Sequence, residues 1–309
     1  MLAVLCLALM GCAAATAGAA ETAAPAAAAY SRKGADTCLR CHDDAALQGL
    51  FRTAHGRPTD ARTPFGHGQL QCEACHGPGD AHAQVKGKGD RPRLIDFGPK
   101  AQSPAAVQDA QCLTCHRGSA THWAGNAHAA NDVSCASCHA SHAARDPVRS
   151  LATQEAVCAG CHKAQHADTL KPSRHPLLEG KMACGSCHAA HGSTGPAQLA
   201  RNSVNETCTS CHTEYRGPFL WEHAPVAEDC GNCHEPHGSV QPAMLKARAP
   251  FLCQECHQAQ GHPSVAYTPG GLPGGSGAPG GAYLLAGGCV NCHSQVHGSN
   301  HPSGSKLMR

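Results

Sequence analysis

The sequence predicts mostly irregular chain with short α-helices and little or no β-structure, folded around something other than a side-chain core. Three observations lead there. The 309-residue chain carries 22 Cys and 24 His but only four Tyr, five Phe and two Trp. Much of its 41% hydrophobic share is Ala, which buries little apolar area per residue. Its 34 Gly and 21 Pro interrupt regular elements along the whole length. A chain this long normally closes one or two hydrophobic cores, so another material must fill the interior.

The cysteines point to that material. Cys6 and Cys12 lie in an apolar leader, and the other 20 form ten C-x-x-C pairs, each followed at once by a histidine. The motifs are Cys38, Cys41 and His42; Cys72, Cys75 and His76; Cys112, Cys115 and His116; Cys135, Cys138 and His139; and Cys158, Cys161 and His162. They continue with Cys184, Cys187 and His188; Cys208, Cys211 and His212; Cys230, Cys233 and His234; Cys253, Cys256 and His257; and Cys289, Cys292 and His293. C-x-x-C-H is the signature of c-type haem attachment. The thiols add to the haem vinyl groups as thioethers, and the adjacent imidazole reaches the iron from the proximal side. A zinc ribbon does not require a histidine directly after its second cysteine. A disulfide framework explains neither the fixed spacing nor the histidines. The fold class expected is therefore a multihaem cytochrome, with ten covalent c-type haems serving as both core and staples.

The sixth iron ligand decides whether such a centre only transfers electrons or also binds substrate. Beyond the leader the chain holds only Met182, Met244 and Met308, so methionine cannot serve ten irons. Fourteen histidines remain after the ten proximal ones. The motifs pair into five two-haem repeats opening at Cys38, Cys112, Cys158, Cys208 and Cys253. Each repeat places one histidine between its motifs and another after the second motif. The between-motif candidates are His55, His128, His175, His223 and His262; four of them follow a bulky residue at Phe51, Trp123, Leu170 and Phe219. The followers are His82, His142, His191, His237 and His297, three of them spaced C-H-x-x-H. Each follower is expected to ligate a haem other than its neighbour's, because the proximal histidine already occupies that one. His67, His122, His166 and His301 are left over as exposed or propionate-bonding residues, with His67 rivalling His55 and His301 rivalling His297.

Residues 1–20 carry no charge and read as an export signal, cleaved near Ala20, lipidated at Cys12 or kept as an anchor. Residues 21–309 read as one elongated domain, since motifs recur throughout. The run from Pro269 to Ala282 reads as a flexible surface loop. Lys86, Lys88, Arg91, Arg93 and Lys100 form a loose basic run, either a solvated loop balancing haem propionates or a docking face for an acidic partner. The formal charge of +2 excludes the haems, whose propionates make the holoprotein acidic. Nucleic-acid binding, which needs a basic footprint, is excluded on that ground. No later segment is apolar enough to span a bilayer as a helix, and none alternates like a barrel strand.

The stretch Arg216-Gly-Pro-Phe-Leu-Trp-Glu-His-Ala-Pro-Val226, then Cys230-Gly-Asn-Cys-His-Glu-Pro-His-Gly-Ser239, resembles the MtrA/DmsE decahaem cytochromes, a group that includes PioA and MtoA. So does the tail Cys289-Val-Asn-Cys-His-Ser-Gln-Val-His-Gly-Ser-Asn-His-Pro-Ser-Gly304, and the likeness runs from Cys38 to Arg309. It implies a periplasmic protein with ten bis-His haems in one array, associated with the outer membrane through a β-barrel porin of the MtrB type. It also implies exchange with periplasmic and extracellular redox proteins, in extracellular respiration or iron oxidation. The N-terminal region lacks the long extension of PioA-like members. The reading reached is an electron-transfer protein with no catalytic residue, a conduit rather than an enzyme. A soluble periplasmic shuttle is the alternative. A multihaem reductase is a third reading, which the surplus of histidine ligands disfavours.

Overall fold

The computed structural model describes residues 28–87, 89–258, 289–302 and 304–308. Helices there are short, the longest being Ala105–His116, and β-structure is confined to four isolated antiparallel bridges. The expectation of short helices with little or no β-structure holds. The leader, His262 and the 269–282 loop lie outside the described residues.

The first motif of each pair sits at or near the end of an α-helix: Ala35–Cys38, Ala105–His116, Leu151–Ala159, Val204–Thr209 and Ala249–Gln254. Second motifs occupy single turns: Glu73–His76, Cys135–Ser137, Cys184–Ser186, Cys230–Asn232 and Cys289–Cys292. In nine motifs the histidine N–H donates to the carbonyl of the first cysteine at 2.8–3.1 Å. That closes one helical turn, which brings positions i, i+3 and i+4 to the same side. Both thiols and the proximal imidazole thereby face a common space.

Side chains supply little interior. Among the described residues only Ala35, Leu50, Trp123, Ala183 and Leu307 are buried apolar groups, against nine buried polar ones. The polar groups pin motif to motif. Asp109 accepts from the backbone N–H of Cys135 and from Trp123 Nε1, both at 2.7 Å. In the next two repeats Gln154 accepts from Gly185 N–H at 2.6 Å and Asn205 from Cys230 N–H at 2.7 Å. A side chain on the helix of the first motif thus holds the turn of the second, three times over.

Neighbouring repeats are joined by a different device. Ser173 bridges Ser239, and Trp221 bridges Ser299. In each case the residue two before a between-motif histidine pairs with the residue two after the follower of the next repeat. Gly192 and Gly238 mark the closeness of this contact. Both follow a C-H-x-x-H histidine, with φ of +99° and +144°. A Cβ at Gly192 would lie 2.6 Å from the His122 carbonyl oxygen, and one at Gly238 would strike that of Asp168. Only glycine meets both requirements.

A single continuous cavity of about 6280 Å³ runs through the described structure. That is far beyond the roughly 300–1,000 Å³ of a site for one small ligand. All 20 motif cysteines and all ten proximal histidines line it.

Candidate haem sites

The proximal imidazoles do not face empty space. Second imidazoles stand opposite nine of them, at ring-centre separations of 5.9–6.4 Å. The pairs are His42 with His82, His76 with His142, His116 with His55, His139 with His191 and His162 with His128. They continue as His188 with His237, His212 with His175, His234 with His297 and His257 with His223.

Separation is nearly constant, yet the angle between ring planes runs from 14° to 90°. Direct aromatic contacts couple distance to angle. Two rings bound to one ion keep their distance and rotate freely about the metal–nitrogen bonds. With a metal–nitrogen bond of roughly 2 Å, facing imidazole nitrogens stand about 4 Å apart and ring centres about 6 Å apart. The residues present therefore fit an iron between each pair.

Hydrogen bonding leaves the right nitrogen free. Nδ1 of His76, His82, His128, His175, His188, His191, His223, His234 and His293 lies 2.6–3.2 Å from a backbone carbonyl. A carbonyl only accepts, so Nδ1 carries the proton and Nε2 keeps its lone pair for a metal. Burial first, and the facing imidazole second, hold His55, His142, His237 and His297 below the ordinary histidine value. They are neutral at physiological pH, as metal ligation requires.

The ten motifs also follow one another in space. Within repeats the first cysteines lie close enough for their thiols to interact: Cys38 with Cys72, Cys112 with Cys135, Cys158 with Cys184, Cys208 with Cys230 and Cys253 with Cys289. Between repeats the second cysteines are close enough to interact electrostatically: Cys75 with Cys115, Cys138 with Cys161, Cys187 with Cys211 and Cys233 with Cys256. Nine contacts thus join ten motifs in chain order. Burial and then the neighbouring thiol push Cys72 up to about 12 and Cys208 and Cys253 to about 11.

All nine described follower and between-motif candidates stand opposite a proximal histidine, and His262 lies outside the described residues. His67, His122 and His166 face none of the described proximal rings. His166 does line the cavity, with its Nδ1 at 2.6 Å from Glu155. The His301 N–H donates to Ser299 Oγ at 3.0 Å.

Sequence reasoning left the pairing rule undetermined. A between-motif histidine reaches forward to the first motif of the next repeat, and a follower reaches back to the second motif of the previous one, except His82, which faces His42 of its own repeat. His128, His175 and His223 each bond the carbonyl just before the follower they cross: Ala190, Pro236 and Val296. Equal numbers of forward and backward candidates carried a trace of this rule. Asp146 was also missed. Its Oδ2 lies 2.6 Å from His139 Nδ1, and the visible signal was an acidic residue where the next two repeats have Gly195 and Gln241.

Repeated C-x-x-C-H turns on a shared cavity, with facing imidazoles, define a multihaem c-type cytochrome. Residues 175–217 and 223–262 match the doubled CXXCH motif family, and residues 72–157 match the NrfB-like cytochrome c-type proteins. Multiheme cytochrome MtrA of Shewanella baltica (strain OS185) is 49% identical over 282 residues, covering 91% of this chain and 83% of that relative. The chain belongs to the MtrA family of multihaem cytochromes.

Proposed function

We propose that this chain is an electron conduit passing electrons along ten bis-His c-type haems, with no substrate of its own. The observation that carries the reading is the second imidazole standing opposite each of nine proximal histidines. At those nine sites two imidazoles from the chain would hold each iron and leave an exogenous ligand no place to bind, which favours a conduit over a reductase. Haem, when bound, supplies reversible one-electron chemistry at iron.

The remaining work belongs to the residues. Paired thiols fix each group in the cavity, and successive Cys–Cys contacts keep neighbours adjacent from Cys38 to Cys292. The imidazole pairs hold the iron coordination constant through oxidation and reduction, and Nδ1 bonds to backbone carbonyls fix ring orientation. For the tenth site the candidate is His262, which lies outside the described residues. His82 serves the first motif, the end where no earlier repeat exists to lend a ligand.

The setting proposed is the periplasm, after export by the leader, in association with the outer membrane. Among the described residues no helix is long and apolar enough to cross a membrane. Irregular backbone is prohibitive against lipid unless protein or water surrounds it. A β-barrel porin of the MtrB type offers lipid an apolar band and the cytochrome a wet lumen, and an array ten haems long suits passage across a barrier. The test is to reconstitute cytochrome and porin in liposomes loaded with a redox dye, then add an impermeant reductant outside. Dye reduction only when both proteins are present supports the conduit. Equal response with porin alone, or failure of the two to co-purify, transfers the role to a soluble periplasmic shuttle exchanging with other redox proteins.

A further inference from the structure

The second histidine of each repeat occupies an equivalent place, and its Nδ1 partner can be compared five times within one molecule. His76 meets the carbonyl of Ile95 at 2.7 Å, His188 that of Ala197 at 3.0 Å, His234 that of Ala243 at 2.8 Å and His293 that of Lys306 at 2.6 Å. Among these five described contacts only that of His139 is to a carboxylate, Asp146 Oδ2 at 2.6 Å. The substitution is local and clean. Asp146-Pro147-Val148 stands in the same register after His139 as Gly195-Pro196-Ala197 after His188 and Gln241-Pro242-Ala243 after His234. All three prolines open a 3-10 turn.

In the two later repeats that turn is shaped to deliver two carbonyls. Ala197 and Ala243 accept from the histidine ring, while Gln198 and Met244 accept from the N–H after the histidine, both at 2.7 Å. All four residues hold positive φ, between 49° and 56°, a conformation that costs a non-glycine residue energy. At Asp146 one side chain does both jobs. Oδ2 takes the ring and Oδ1 takes the Ala140 N–H at 3.2 Å, and neither Val148 nor Arg149 has positive φ. The carboxylate side chain is 17% exposed, so water screens the contact only in part. His212 also has an acidic neighbour, Glu214, but at 3.5 Å with both side chains more than half exposed.

We propose that Asp146 sets the potential of the centre held by Cys135 and Cys138, making it lower than a carbonyl partner would. An anionic acceptor makes the imidazole a stronger donor to the metal and favours the more positive ferric state. One electron reduces ferric to ferrous iron, and the fixed negative charge opposes its arrival. Asp146 is a positioning residue acting through His139. The inference rests on the proposed haem ligation.

The experiment uses the holoprotein and two substitutions. Asp146→Asn keeps a hydrogen-bond acceptor and removes the charge; Gln241→Asp installs the acid beside His234 on a similarly extended backbone. Each variant is titrated by spectroelectrochemistry, and electron paramagnetic resonance counts low-spin ferric haem. Exchanging a charge-assisted for a neutral hydrogen bond changes one reduction equilibrium by roughly tenfold, or about 59 mV for a one-electron couple. Asp146→Asn is expected to raise one redox equivalent by that amount with all irons low-spin, and Gln241→Asp to lower one. A titration of Asp146→Asn that superimposes on wild type, with the low-spin count intact, overturns the proposal. If that variant instead develops high-spin haem, Gln241→Asp decides, and an unchanged titration there overturns it equally. High-spin haem in the wild type would refute the bis-His reading itself and leave a distinct signature.

Discussion

Replacing Gly238 by Ala tests the junction between repeats at one carbon atom. Gly238 follows His237, and its φ of +144° is one that L side chains rarely adopt. The added Cβ would also strike the Asp168 carbonyl oxygen, which is backbone and cannot swing aside. Forcing a side chain into such a conformation costs about 1–3 kcal/mol, and the overlap brings the total to about 3 kcal/mol. At about 1.4 kcal/mol per decade, the closed junction loses roughly 100-fold against an opened one. Two centres share the junction, because His237 faces His188 while His175, bonded to the Pro236 carbonyl, faces His212. Gly238→Ala should therefore let two ferrous haems bind carbon monoxide while the others stay closed, read as two equivalents in an optical titration. Gly118→Ala, where the added carbon meets nothing within 4 Å, is the control and should bind none. A Gly238→Ala protein as closed to carbon monoxide as the control would refute the argument that this contact holds two ligands in place.

Other outcomes follow from the same geometry. The mature protein should exceed its apoprotein mass by ten haems, all surviving acid-acetone extraction; a mass showing eight or fewer would contradict the ten-site reading. His142→Met, His191→Met and His237→Met should each raise the potential of one centre, those at His76, His139 and His188 respectively, since methionine ligation gives higher potentials; two or more moving centres would break the pairing given above. The Ser103 hydroxyl first, and then the backbone N–H groups of Gln102 and Ser103, hold the Asp96 carboxyl below its usual range. A depressed carboxyl stabilises the fold above its unfolded value and ceases to as pH falls through the folded one. Amide protection over residues 96–103, corrected for the intrinsic pH dependence of exchange, should therefore fall in acid in the wild type, and Asp96→Asn should flatten that dependence.

The motifs of the candidate site were legible in the sequence, and for a physical reason. Covalent attachment fixes its ligands at i, i+3 and i+4 of one turn, so each motif is local and readable. The scarcity of aromatic residues correctly announced an interior not built from side chains, and the described structure buries only five apolar ones. The pairing of distal ligands was not legible in the same way. His128 and Ala190 lie 62 residues apart, and His223 and Val296 73 apart; spacing supplies candidates but cannot say which ring they cross. Asp146 was hidden because an Asp before Pro is ordinary turn chemistry until the five equivalent histidines are superimposed.

The crossed lending of histidines has a consequence in time. If the chain is exported from its N-terminus, as proposed, His76 emerges well before His142, its partner 66 residues later, and a comparable delay recurs at His139, His188 and His234. On the proposed ligation, a haem there would lack its second imidazole until the next repeat has followed. The first motif of a later repeat meets the opposite situation, its distal histidine having arrived beforehand. On that ligation maturation would proceed as a zip in which each unit completes the one before it, and a chain stopped between repeats would end with its last second-motif haem open to attack by oxygen or peroxide.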